Sequence, residues 1–459
     1  MTALRELVAL DSIRTSQAVP VRSRRSVVLS DNARLIVFYQ LAGNPYSVIG
    51  VAYGRPGQRP DHVVSCPDPL DRDAVAARLV PLRDGLLDWF ASHRVRAVPS
   101  PTGHGYEAAA MPQLVVTGVG AVEALDDLAY MWRYTPSLGP DWERLGREVW
   151  ALTDLRPWAA QGAVVPLAQA LSEHYDFGIS APEAAKLSVG VAFCDAMSTP
   201  AGLSPAQLAL AEEHEAGPLG RPDDLDAPVW EAALARRGEA PAVVRRTLLE
   251  TWEYCNRAWG HLRAIPVSAA ATAEADRLRT TWAWRVGADR TGVGQVRRRA
   301  LPALASAAGT LDQLEAAQER FQAAYALEDL MVAAEAAGEG KGARVDASVT
   351  VTRANRRTTI TLDCRTDQPL VPPEGALVGV AGTSVKARVL AVTGGPGAWQ
   401  LTLGVGSDYE GSSGIRTAEH LRNGHYWFVV VPEGGPGPLP PPVVAPPTHP
   451  RALGGAGQP

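Results

Sequence analysis

The hydrophobic period of this 459-residue chain changes at the glycine-rich stretch Gly338–Gly342, and no single repeating layer of structure can accommodate both patterns. Upstream, apolar residues recur at helical spacing. Leu248, Trp252, Cys255, Trp259 and Leu262 form a stripe along one helical face, and a second long helix runs from Leu311 through Leu314, Phe321 and Tyr325 to Met331. Downstream, the period is two. Val349 and Val351 alternate with Ser348, Thr350 and Thr352, and Ile360 and Leu362 alternate with Thr359 and Thr361. Further apolar runs at 376–380, 385–392, 399–403 and 426–431 make up a set of short strands with Gly/Pro turns, the pattern of a small barrel or sandwich.

The first third of the chain mixes both periods. Leu35–Tyr39, Ser47–Ala52 and His62–Ser65 read as strands. Asp71 then caps an amphipathic helix carrying Val75, Leu79, Leu82, Leu86 and Phe90. Leu114–Val116 is a buried-type strand and Ala121–Tyr134 a further helix. Because one core rarely serves more than roughly 250–300 residues, the chain divides. The expected fold class is multi-domain α+β. An irregular N-terminal extension (1–30) ends in the basic cluster Arg22, Arg24 and Arg25; an α/β domain (31–140), a central helical domain (141–340), a small C-terminal all-β barrel or sandwich (341–432) and a disordered Pro-rich tail (433–459) follow.

Composition narrows the function classes. The net charge of −5 gives no global attraction to nucleic acid or anionic membrane. Lysine occurs only at Lys186, Lys341 and Lys386, and arginine supplies the rest of the positive charge. With abundant Ala, Gly and Pro, this is the codon signature of a high-G+C bacterium, so arginine excess alone does not signal phosphate recognition. The four cysteines, Cys66, Cys194, Cys255 and Cys364, form no metal or redox pair. The N-terminus has no signal-peptide pattern, and no apolar run is long enough to span a membrane; the expected location is cytoplasmic.

Motifs that could carry chemistry are incomplete. The β-β-β-α-β-α order matches the start of ribonuclease-H-like nucleases, which need an acid on the first strand; residues 34–42 contain none, and Asp68, Asp71 and Asp73 suit turn and capping roles. Gly118 and Gly120 open a helix after a strand, but Glu123 replaces the third glycine of a dinucleotide fingerprint. His214-Glu215 lacks a second zinc ligand because Pro218 stands in its place, and Asp223, Asp224 and Asp226 lack the remainder of a calcium loop. Val293 replaces the phosphate-loop lysine after Gly287 and Gly292, and Gly342 follows Lys341 where Ser or Thr is needed. No cofactor or metal is expected. The catalytic candidate is His104, in a glycine-flanked segment read as a flexible loop with Tyr106 and Glu107 as proton partners. The nucleic-acid candidates are Arg353, Arg356 and Arg357 at a hairpin turn and Lys386 and Arg388 on one strand face. Trp399, Tyr426 and Trp427 could act as stacking platforms or as core, in a segment (341–432) with ten Lys/Arg and seven Asp/Glu.

Met111–Val116 before a helix, and Leu327–Glu335 before a β domain, resemble a family of hypothetical actinobacterial proteins. The resemblance supports the domain order and implies no catalytic residues. The favoured expectation is a non-catalytic cytoplasmic binding or adaptor protein with protein partners. The alternatives are an enzyme using His104 and a nucleic-acid accessory factor acting through the β domain.

Overall fold

The computed structural model describes residues 3–40, 48–66, 71–100, 103–155, 162–208, 240–290, 304–339, 341–354, 357–365, 374–383, 385–395, 398–405 and 424–432. Its first thirty residues correct the expected irregular extension. They open with α1 (Ala3–Thr15) and a short strand β1 (Val19–Pro20). The helix was hard to read because Leu7, Leu10 and Ile13 point outward, while Ser12 is buried and donates to the carbonyls of Gln17 and Asp176.

β2 (Arg34–Gln40) explains the sheet that follows. Leu35, Ile36, Val37 and Phe38 are all fully buried, and a strand without polar alternation needs cover on both faces. β3 (Val48–Gly54) pairs antiparallel with β2, and β4 (Pro60–Ser65) antiparallel with β3. The expected single helix is divided into α2 (Arg72–Arg78) and α3 (Val80–Ser92), because Pro81 cannot donate into the preceding turn. Asp71 caps α2 as expected, accepting from the backbone N–H groups of Asp73 and Ala74 at 3.0 Å. A hairpin of β5 (Val95–Ser100) and β6 (Gly103–Ala108) comes next, then β7 (Leu114–Val116), parallel to β2, and α4 (Val119–Tyr134).

The sheet does not end at residue 140. After α5 (Pro140–Thr153), β8 (Val164–Pro166) pairs parallel with β7, giving the order β4-β3-β2-β7-β8. The chain continues through α6 (Leu167–His174), β9 (Tyr175–Asp176), which pairs with β1, α7 (Ala181–Ala184) and α8 (Leu187–Ala196). The helices α9 (Ala240–Ala264) and α10 (Ala269–Arg290) then cover opposite faces of the sheet. The α9 stripe Leu248, Trp252, Cys255, Trp259 and Leu262 is buried with Leu35, Val37 and Ile49, alongside α6 and α8. Gly50 permits that approach: a Cβ there would lie 2.6 Å from a methyl carbon of Val244. On the other face Ile36, Phe38 and Val51 pack with Leu86, Phe90, Leu125, Trp132, Leu145 and Trp282 from α3, α4, α5 and α10. The helical segment after 140 therefore shares its cores with the sheet.

α11 (Leu304–Glu328) and α12 (Leu330–Gly338) lead into the C-terminal strands β10 (Gly342–Ala354), β11 (Arg357–Arg365), β12 (Leu377–Val380), β13 (Lys386–Gly395), β14 (Ala398–Val405) and β15 (Gly424–Val430). All pair antiparallel in the order β10-β11-β14-β13-β12-β15, and β15 also pairs with β10. The apolar sides of these strands, including Ile360, Leu362, Val378, Val389, Leu401 and Phe428, form their own core. The Pro-rich tail (433–459) lies outside the described residues. Among the described residues, no helix is long and apolar enough to cross a membrane.

Candidate functional site

The segment between β1 and β2 is a strap on which distant parts of the chain converge. Its three arginines have different fates. Arg25 is buried; its backbone N–H donates to Pro266 O, its Nε to Val27 O and its Nη1 to Leu262 O, at 2.7–2.8 Å. Burial lowers its pKa, with Arg263 adding to the effect. Arg24 is held through its backbone, its carbonyl accepting from the Tyr325 hydroxyl at 2.6 Å. Arg22 turns toward α12, donating from Nη2 to Glu335 Oε2 at 2.5 Å. The other oxygen of Glu335 accepts from Arg5 Nε of α1 at 2.6 Å.

Asp329 fixes the strap against the α11–α12 junction. One carboxylate oxygen accepts from the Ser23 N–H (2.6 Å), the Ser23 hydroxyl (2.9 Å) and the Arg24 N–H (3.2 Å). The other caps α12, accepting from the Met331 and Val332 N–H groups at 3.0 and 3.3 Å. Gln113, just before β7, holds the far end of the strap. Its carboxamide accepts from Ser30 N–H and donates to the carbonyls of Val28 and Gly162. Both segments that carried the family resemblance thus supply residues that secure the strap.

Between the strap, α6, α11, α12 and β15 lies a cleft of about 850 Å³, within the size range of small-molecule sites. Its apolar wall includes Val165, Phe321, Val332 and Val429; its polar residues include Arg22, Ser26, Glu173 and Glu335. Glu173 is exposed to the cleft, and its carboxylate accepts from Gln169 Nε2 at 3.0 Å and from the Ser26 hydroxyl. The protein packed around it raises its pKa above the usual carboxylate range, against the lowering effects of these bonds and of Arg22.

Ser26, Glu173 and the neighbouring His174 superficially resemble a hydrolytic set, but the hydrogen bonds show otherwise. His174 Nε2 accepts from the Ser26 backbone N–H at 3.1 Å, and Nδ1 donates to Ala170 O at 2.6 Å. Both ring nitrogens are spent, so the imidazole cannot take a proton from the Ser26 hydroxyl. Burial lowers the His174 pKa to about 4, fixing it as a neutral structural group.

The residues singled out from the sequence fall elsewhere. His104 sits on β6 in register with Pro99, not in a flexible loop. Its expected partners diverge: Tyr106 is buried in the core, and Glu107 pairs with Arg96 across the hairpin at 3.0 Å. The strand pattern is hard to see in the sequence because Gly103 and Gly105 flank His104 and Pro99 stands opposite it. Of the basic candidates, Arg356 lies outside the described residues. Arg353 pairs in register with Thr358, and Arg357 with Ala354, at the end of the β10–β11 hairpin. Lys386 is exposed, whereas Arg388 is half-buried and donates to Gly375 O at 2.7 Å. Trp399 packs onto the β-domain core, and Trp427 onto the cluster that includes Phe321 and Val332; both are half-buried. Gly118 is the extended N-cap of α4, a strand-to-helix turn. His214, Glu215, Asp223, Asp224 and Asp226 lie outside the described residues.

Sequence reasoning missed Glu173, Asp329 and Glu335 as site residues. The available signal was the Arg22–Arg24–Arg25 cluster ahead of the first strand, whose burial or pairing required partners elsewhere. Among the described residues, no group of three His, Cys, Asp or Glu side chains could hold a metal. The chain matches no family model, no curated protein and no solved structure.

Proposed function

We propose that this chain is a non-catalytic cytoplasmic binding protein, an adaptor whose partner docks in the cleft between the strap, α6, α11, α12 and β15. The observation that carries this reading is the construction of the cleft. Segments from four distant parts of the sequence build a concave apolar wall, and its most reactive neighbour, His174, is committed to backbone hydrogen bonds. Such a site is organised to hold a group rather than to transform one. We read the six paired C-terminal strands as a small barrel; β15 contributes Val429 and Val430 to the cleft.

The test is quantitative affinity capture from native cells after nuclease treatment, comparing the natural chain with Ala336→Trp. Ala336 is half-buried and lines the cleft, so an indole there would obstruct part of it. At least one protein should be enriched by the natural chain and lost with the variant, whose melting temperature should stay within a few degrees. Identical sets of captured proteins would refute the cleft as the docking site. Losing every partner to nuclease would favour nucleic-acid tethering instead.

A further inference from the structure

We infer that the group seated in the cleft is an organic cation, a guanidinium or ammonium carried on an apolar body, with Glu173 as its carboxylate partner. This rests on the cleft being a binding seat, as proposed above, and deepens it.

The charges lining the cleft carry the argument. Arg22 and Lys341 are its cationic residues, and both are already paired: Arg22 with Glu335 at 2.5 Å, and Lys341 with Glu339 at 3.3 Å. Glu335 also takes Arg5, so its charge is matched from two sides. The other terminal nitrogen of Arg22, Nη1, has no hydrogen-bond partner but is buried, so an anionic ligand would have to displace protein or break an existing ion pair to reach a cation. Glu173 and Glu319 also line the cleft, and neither has a cation within ion-pair distance among the described residues. Arg22 reaches Glu173 only as a longer-range influence.

Glu173 is also held in place for such a role. Gln169 and Ser26 both donate to its carboxylate, orienting the group while leaving acceptor capacity for a ligand N–H. The protein crowding that raises its pKa is the condition under which an incoming cation gains most by pairing with it. The adjacent wall of Val165, Phe321, Val332 and Val429 supplies contact for the uncharged part of the ligand. An amphiphilic cation satisfies wall and carboxylate together; a purely ionic one satisfies only the carboxylate.

Two sources share this chemistry, a small amine or amidine and an Arg or Lys side chain on a partner segment. The experiment uses the full chain in isothermal titration with benzamidine, with benzoate and benzyl alcohol as charge-reversed and neutral matches. A second arm uses pools of capped pentapeptides fixed at the centre as Arg, Gln or Glu. Benzamidine or the Arg pool should bind saturably, benzoate and the Glu pool at least tenfold more weakly, and Glu173→Gln should remove that preference without moving the melting temperature. Binding of the Arg pool without benzamidine would assign the cation to a partner segment, and the reverse to a small molecule; either supports the inference. Equal or tighter binding of benzoate, benzyl alcohol or the Glu pool would overturn the cation assignment and leave the cleft standing as a seat. If no probe of any charge binds, and Ala336→Trp captures the same proteins as the natural chain, the seat and the cation fall together. If no probe binds while Ala336→Trp loses a partner, the cation assignment alone fails.

Discussion

At the scale of single residues, Asp329 and His174 show how the strap is held and what its attachment is worth. Asp329 serves both the Ser23–Arg24 backbone and the first turn of α12, so Asp329→Ala leaves several N–H donors without an acceptor. We expect a loss of about 2–4 kcal/mol in urea unfolding, with Asp329→Asn losing less because it keeps one acceptor oxygen. A change within about 0.5 kcal/mol, the range of ordinary surface substitutions, would show that the strap does not depend on this carboxylate. His174 makes a pH prediction. Its folded pKa lies at about 4, below the ordinary value of 6.5, so the unfolded chain binds the extra proton first as pH falls. This contribution to stability is complete above pH 6.5 and is lost progressively down to about pH 4. It amounts to at most roughly 3 kcal/mol. His174→Gln should flatten that part of the stability–pH curve; an unchanged slope would place the titrating group elsewhere.

At the scale of elements, packing geometry separates two glycines of similar sequence context. Gly146 in α5 meets α4 closely: a Cβ there would lie 2.7 Å from the backbone carbonyl oxygen of Ala129. Gly260 in α9 has nothing within 4 Å. We expect Gly146→Ala to destabilise by about 1–3 kcal/mol through overpacking, and Gly260→Ala to stabilise by about 0.5–1 kcal/mol through helix propensity. Thermal unfolding of the two variants checks both signs; a stabilising Gly146→Ala would mean that α4 and α5 are free to separate. The same scale shows what the sequence made legible. The strands around Ile36 and Val51, the α9 stripe at Trp252 and the Asp71 cap were readable because each is a local pattern of spacing or capping. α1 was not, because its apolar residues Leu7, Leu10 and Ile13 face outward and mislead a burial-based reading. The cleft was less legible still. Arg22, Glu173 and Glu335 look like ordinary surface charges until the fold brings residues from widely separated positions together.

At the scale of the whole molecule, the chain is less divisible than its changing hydrophobic period suggests. Ala270 and Ala271 of α10, Phe321 of α11, Val332 of α12 and Val429 of β15 belong to one buried cluster that joins the helical segment to the C-terminal strands. We therefore expect calorimetry to show the sheet-and-helix region and the C-terminal strands melting in a single transition; two well-separated transitions would show that this shared cluster does not couple them. The cleft lies along this junction, so a bound partner would touch both sides and stabilise them together.

The proposed binding through this cleft is read by the affinity of one captured partner for the natural chain and for Ala336→Trp. The variant should bind at least tenfold more weakly, about 1.4 kcal/mol, with its melting temperature preserved. Equal affinities for the two folded proteins would contradict it and move the binding surface elsewhere on the molecule.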